Sequence, residues 1–265
     1  MPSLYVDETG NPAAPSIIFL HGIGVSGWMW KPQIAALSDF HCLNVDLPGH
    51  GKSNQVKWLS LADTADQIAE IIRTRANNGR AHVVGLSLGG NISLVLLEHH
   101  SDIVDHAVIS GVADGPMPNQ IWLKPQTALM SFLLKRRWFM NMQANSMHLP
   151  PDLQSSLNES LDALSTQAYR DIWREVVNVY VSPALQHINT PTLIVAGGRE
   201  SELIKQTVDK IPKLMPHAEG RFAPGLGHGW NLQNPGLFNA VVRTWITGVP
   251  LPTALQTAQS VGVAS

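Results

Sequence analysis

Ser87 stands in Gly85-Leu86-Ser87-Leu88-Gly89-Gly90, between a β-type run from Ala81 to Val84 and an apolar helical stretch opening at Leu88. A serine with glycine two residues away on each side is weak evidence alone. In a strand–turn–helix setting it becomes specific, because so tight a turn needs positions where a Cβ would clash. The turn lifts the hydroxyl above the strand ends and sets it at a helix N-terminus, whose free N–H groups and dipole favour developing negative charge. The chemistry this permits is nucleophilic attack on a carbonyl, and the resulting oxyanion needs donors. The backbone N–H of Leu88, the residue after the serine, is one; Ile23, in the glycine-rich segment His21-Gly22-Ile23-Gly24, is the candidate for the other. The bland reading of Ser87, an N-cap serine in an ordinary turn, leaves the flanking glycines without a reason.

These residues need a scaffold, and the chain reads as short β-type runs alternating with helical patterns. Ser16–Leu20, Cys42–Asp46, Ala81–Gly85, Ala107–Ser110 and Pro191–Ala196 are apolar runs of the kind buried on both faces of a parallel sheet. Leu61, Ala65, Ile68, Ala69, Ile71 and Ile72 recur at helical spacing, Leu88 to Glu98 is apolar nearly all round, and 202–215 and 235–247 read as amphipathic helices. The expected fold class is α/β, a mostly parallel central sheet flanked by helices. Residues 115–187 break the rhythm, with Trp122, Met130 and Trp138 among many apolar side chains, and are expected to form a helical cap inserted between core segments 1–114 and 188–249. Trp122, Met130, Trp138 and Trp230 are candidate substrate-binding residues, since Met and Trp make adaptable, amphipathic walls. Residues 250–265 are expected to be a frayed tail.

Composition narrows the function. Charged residues are 14% of the 265, against roughly 25% in an average soluble domain, which suggests apolar surface near a pocket or interface. A net charge of −2 argues against nucleic acid as a partner. The lone Cys42 excludes an internal disulfide or multi-cysteine zinc site and reads as a core thiol. No motif implies a metal or organic cofactor, so none is expected. With neither a leader pattern nor a spanning apolar stretch, the expectation is a cytoplasmic protein.

Four motifs occur in order: His21-Gly22-Ile23-Gly24 with Trp28 and Trp30; Asp46-Leu47-Pro48-Gly49-His50-Gly51-Lys52-Ser53; Gly85-Leu86-Ser87-Leu88-Gly89; and Gly225-Leu226-Gly227-His228-Gly229-Trp230. In this the chain resembles the α/β-hydrolase superfamily, most of all its compact esterase, lactonase and C–C hydrolase members, up to about residue 247. The resemblance implies that His228 is the base and that His21 and His50 belong to structural loops. It places the acid three residues past the glycine ending the strand after the cap, here Glu200, where the family commonly carries aspartate. Asp114 is the alternative position some members use, and Glu202 a further candidate. A Ser87, His228 and acid triad implies acyl transfer to water from a small hydrophobic ester. Lactones, such as acyl-homoserine lactones, and C–C bonds are the alternative substrates, and a ligand-sensing protein on a hydrolase scaffold is the non-enzymatic one. Dehalogenases and epoxide hydrolases of the family use an aspartate nucleophile. Plant-type hydroxynitrile lyases place lysine after the histidine, where Gly229 stands here.

Overall fold

The computed structural model describes residues 3–116 and 151–257, with positions 133, 136, 138 and 142. The apolar runs become parallel strands because each is covered on both faces. They are β2 (Ser16–Leu20), β3 (His41–Val45), β4 (Ala81–Leu86), β5 (Val104–Ser110) and β6 (Thr192–Gly197), and the more polar, partly exposed β7 (Ala218–Ala223) adds a sixth parallel strand. With β1 (Val6–Thr9) and β8 (Gln256–Thr257) at the edges, the described strands form an eight-stranded sheet of order β1-β3-β2-β4-β5-β6-β7-β8. Only the edge pairs, β1 with β3 and β7 with β8, are antiparallel.

Alternate residues of each strand feed opposite layers. Ile18, Leu20, Val83, Ile109 and Ile194 pack with Ile68 and Ile72 of α2 (Leu61–Arg75) and with Ile92 and Leu96 of α3 (Leu88–His100). Ile17, Phe19, Val84, Val108 and Val195 face the other way, toward Trp30, Trp230 and Phe238. A buried aliphatic or aromatic side chain of this kind contributes about 1.5–3 kcal/mol, so these two layers hold the sheet. Cys42 lies in the second layer as a free thiol, and burial raises its pKa to about 11. It is a core residue, inert as a nucleophile.

Helices α4 (Pro151–Ala163) and α5 (Thr166–Val176) fall within the interval expected to form a cap, much of which lies outside the described residues. They dock onto the loops that follow β2 and β3. Trp28 Nε1 donates to Ser160 Oγ at 2.9 Å, and the Leu61 N–H donates to Glu175 Oε1 at 2.8 Å. Helix α6 (Glu202–Leu214) connects β6 to β7, and α8 (Pro235–Ile246) covers the Phe238 layer.

Two edge features depart from the sequence expectation. β1 was not anticipated, because Val6-Asp7-Glu8-Thr9 is polar and largely exposed and carries no apolar signature. The segment 250–265, expected to fray, is tied down where it is described: Phe222 pairs with Gln256 and Arg221 with Thr257, while Leu255 is buried against the Trp230 layer. Backbone pairing with an open edge needs no side-chain pattern, so composition did not reveal it.

Candidate active site

The chain runs from β2 outward to β3 and then returns to place β4 on the other side of β2. That reversal opens a crevice at the carboxyl ends of β2 and β4, the usual ligand position in such sheets. The carboxyl end of β2 leads into His21-Gly22-Ile23, and that of β4 into Ser87. Ser87 has φ 57° and ψ −111°, a conformation costly to any residue with a side chain and characteristic of functional turns. Its hydroxyl makes no capping hydrogen bond to α3. The turn can be this sharp because α3 passes directly over β2: a Cβ on Gly89 would lie 2.0 Å from the Leu20 carbonyl oxygen. The Leu88 N–H is the first of α3, where no carbonyl four residues back is available to receive it.

His228 arrives on the loop after β7 and Glu200 on the loop after β6. The Arg199 N–H donates to the Leu226 carbonyl at 2.9 Å and the Gly198 N–H to the Ala223 carbonyl at 2.7 Å, which fastens the two loops together. The Gly227 N–H donates to Gln233 Oε1 at 2.8 Å and steadies the histidine's own loop. In this frame the His228 Nδ1–H donates to Glu200 Oε1 at 2.6 Å. The Glu200 side chain is 7% exposed and that of His228 46%. Such a contact holds the imidazole as the Nδ1–H tautomer and leaves Nε2 free to accept a proton. The ring lies over Gly111, where a Cβ would come within 2.9 Å of His228 Cε1.

Asp114, the alternative acid, is engaged elsewhere. Its Oδ1 accepts from the Val181 N–H at 2.6 Å, its Oδ2 pairs with the Lys210 ammonium, and its N–H donates to Thr207. It ties the chain after β5 to α6 and to the segment following α5. Glu202 opens α6 as a first-turn acid.

The loop that carries Ile23 rests on two buried imidazoles. His21 accepts from the Leu47 N–H at 2.9 Å and donates through Nδ1 to the Gly22 carbonyl at 2.7 Å. His50 accepts from the Gly24 N–H at 3.2 Å and donates through Nδ1 to the Pro48 carbonyl at 3.0 Å. Both rings are therefore neutral, and the Gly22 carbonyl that His21 donates to and the Gly24 N–H that His50 receives bracket Ile23. Burial lowers the pKa of His21 to about 4, against the opposing bond to Gly22. Burial, and then His21, lower that of His50 to about 3.

A stability prediction follows from these directions. The unfolded histidines bind protons near pH 6.5 and the folded ones only near pH 4 and 3, so stability is full above about 6.5 and falls as pH drops toward 4. The loss is on the order of 3 kcal/mol per ring. Urea midpoints measured between pH 7 and 4 should show it, and His50→Gln should flatten the decline. An equally steep decline in that variant would remove His50 as a cause.

Ser87 and His228 border one cavity of about 520 Å³, whose other walls include Val25, Met29, Leu157, Leu161, Tyr169 and Trp173. These apolar wall residues were not singled out from sequence. Their signal was present in the helical spacing of Leu157, Leu161 and Leu164, but nothing in it distinguished wall from core. Of the pocket candidates, Trp230 needs correcting: it is fully buried, its ring tilted against that of Phe238, with Nε1 donating to Ser110 Oγ at 2.9 Å. Trp138 also departs from expectation, being 59% exposed. Trp122 and Met130 lie outside the described residues. Among the described residues no group of three His, Cys, Asp or Glu could hold a metal ion, and no helix is long and apolar enough to cross a membrane.

Comparison with known proteins agrees with this architecture. An AB hydrolase superfamily protein of Gibberella zeae is 27% identical over 258 residues, covering 94% of this chain and 86% of that protein. The 3-oxoadipate enol-lactonase 1 of Acinetobacter baylyi is 26% identical over 75% of this chain and 76% of its own length. The crystal structure of the enol-lactonase from Burkholderia xenovorans shares the fold at a TM-score of 0.74 and 20% identity, covering 92% of this chain and 96% of that one. The description of the alpha/beta hydrolase family matches residues 17–241, a span that includes the turn at Ser87 and the loops of Glu200 and His228, and the chain belongs to that family.

Proposed function

We propose that this protein is a serine hydrolase that cleaves carboxylic ester bonds of small hydrophobic substrates through an acyl-enzyme. The observation that carries the reading is the constellation itself. Ser87, on a strained turn, shares a cavity with His228, whose Nδ1–H is held by a nearly buried Glu200 carboxylate. Ser87 Oγ attacks the ester carbonyl while His228 Nε2 takes its proton. The N–H groups of Ile23 and Leu88 receive the oxyanion, and Glu200 stabilises the imidazolium. His228 then protonates the leaving alkoxide and activates the water that releases the acid. The apolar walls of the cavity favour a hydrophobic substrate.

A serine-directed fluorophosphonate tests the reading. The expected result is covalent labelling at Ser87, mapped by mass spectrometry, with p-nitrophenyl ester hydrolysis disappearing in parallel. Intact protein that stays unlabelled and hydrolyses no ester would instead be a ligand-binding protein on this fold. A second reading, opening of lactone rings by the same groups, is favoured by the Acinetobacter baylyi relative named as an enol-lactonase. Linear esters and lactones of equal carbon number, compared by kcat/KM, separate the two.

A further inference from the structure

Ser87, His228, Ile23 and Trp173 border a second cavity of about 120 Å³ as well as the one of about 520 Å³, so two lobes of unequal size meet at the reacting atoms. Three of these residues have a part in the proposed chemistry, as nucleophile, base and oxyanion donor. Trp173 has none, and its place follows from the helix that carries it. Along α5, Tyr169 lines the large lobe, Trp173 lines both and Val176 lines the small one. Positions spaced by four and then three residues fall on one helix face. That face therefore runs across both lobes, with Trp173 at their junction. Two contacts hold the indole there. Its ring meets that of Tyr169 edge to face, with centroids 6.1 Å apart, and Glu175, two residues on, ties α5 to the Leu61 N–H of the core. The small lobe is also walled by Leu88 of α3 and Ile204 of α6, helices packed against the sheet, so overfilling it would displace core side chains. It has room for roughly four groups the size of a water molecule, at about 30 Å³ each.

We infer that Trp173 is a specificity-determining residue that divides the cavity at the scissile carbonyl, so the favoured esters are unequal: one flank of no more than about four non-hydrogen atoms and one longer apolar flank. This inference rests on the proposed role of Ser87 as nucleophile, because the division falls at that residue. It selects by shape alone. An ester with two long flanks must overfill the small lobe, whereas one with a single long flank fits without displacing a wall.

Two series of esters that share one end member test it. One runs from hexyl acetate to hexyl hexanoate by lengthening the acyl chain, the other from methyl hexanoate to hexyl hexanoate by lengthening the alcohol. Each kcat/KM is divided by the rate constant of alkaline hydrolysis of the same ester. In the series whose growing flank occupies the small lobe, the expected result is a break of about tenfold or more once that flank outgrows the lobe. The other series, whose fixed six-carbon flank must enter the small lobe throughout, should be slow from its first member. Trp173→Ala merges the lobes and should raise hexyl hexanoate by about tenfold, with no gain for the short-flanked ester. Ala113→Leu narrows the small lobe, whose wall Ala113 forms, and should move the break to shorter chains. It decides the matter if Trp173→Ala does not fold. A smooth dependence on length through both series overturns the division alone, as does a Trp173→Ala variant in which all esters fall in parallel, the sign of a merely structural tryptophan. No turnover together with no fluorophosphonate labelling overturns the nucleophile, and the division with it.

Discussion

Ser87→Ala is expected to lower kcat on p-nitrophenyl esters by about 10⁴-fold or more, with a thermal midpoint close to that of the unaltered protein. The size follows from the chemistry: without Oγ there is no acyl-enzyme, and what survives is binding and the oxyanion donors acting on attack by water. The stability follows from the structure. The Ser87 hydroxyl caps no helix, and alanine meets the same steric demand at φ 57°, so the substitution should stay within about 0.5 kcal/mol. Wild-type turnover in a folded variant would remove Ser87 from the mechanism.

Glu200→Gln should carry the second largest effect, a loss of about 10²- to 10⁴-fold in kcat with KM little changed. Glutamine preserves the shape, but its amide nitrogen can donate to His228 Nδ1 and hold the ring as the Nε2–H tautomer, which has no free base facing Ser87. The imidazolium also loses its 2.6 Å carboxylate partner. Asp114→Asn is the control. It should leave kcat near wild type and cost about 1 kcal/mol in urea unfolding, because Asp114 accepts from the Val181 N–H and pairs with Lys210 rather than with His228. The reverse pattern, activity lost with Asp114→Asn and kept with Glu200→Gln, would transfer the acid role.

The contrast between these two acids marks where sequence reading ends. Both follow a strand at a plausible distance, and no local pattern separates them. Glu200 is the one beside His228 because the loops after β6 and β7 are hydrogen-bonded to each other. Asp114 is held away by partners 67 and 96 positions distant in the chain. Trp230 gives the same lesson from the other side. Its neighbour His228 enters the cavity while Trp230 is fully buried, and a two-residue offset in a glycine-rich loop carries no periodicity from which to read that.

What the amino-acid order determined by itself is whatever depends on neighbours within one turn or one strand. Short continuous Val- and Ile-rich runs bounded by turn residues read as strands covered on both faces, and glycines on either side of Ser87 permit a bend that larger residues would block. A helix opening at Leu88 then leaves its first N–H groups without a carbonyl partner inside the helix. What only the folded chain decided is which carboxylate meets His228, which aromatic side chains lie buried, and the edge pairings of β1 and β8. Those depend on contacts closed by long stretches of chain, whose geometry is fixed by packing over the whole sheet rather than by any segment's own preference.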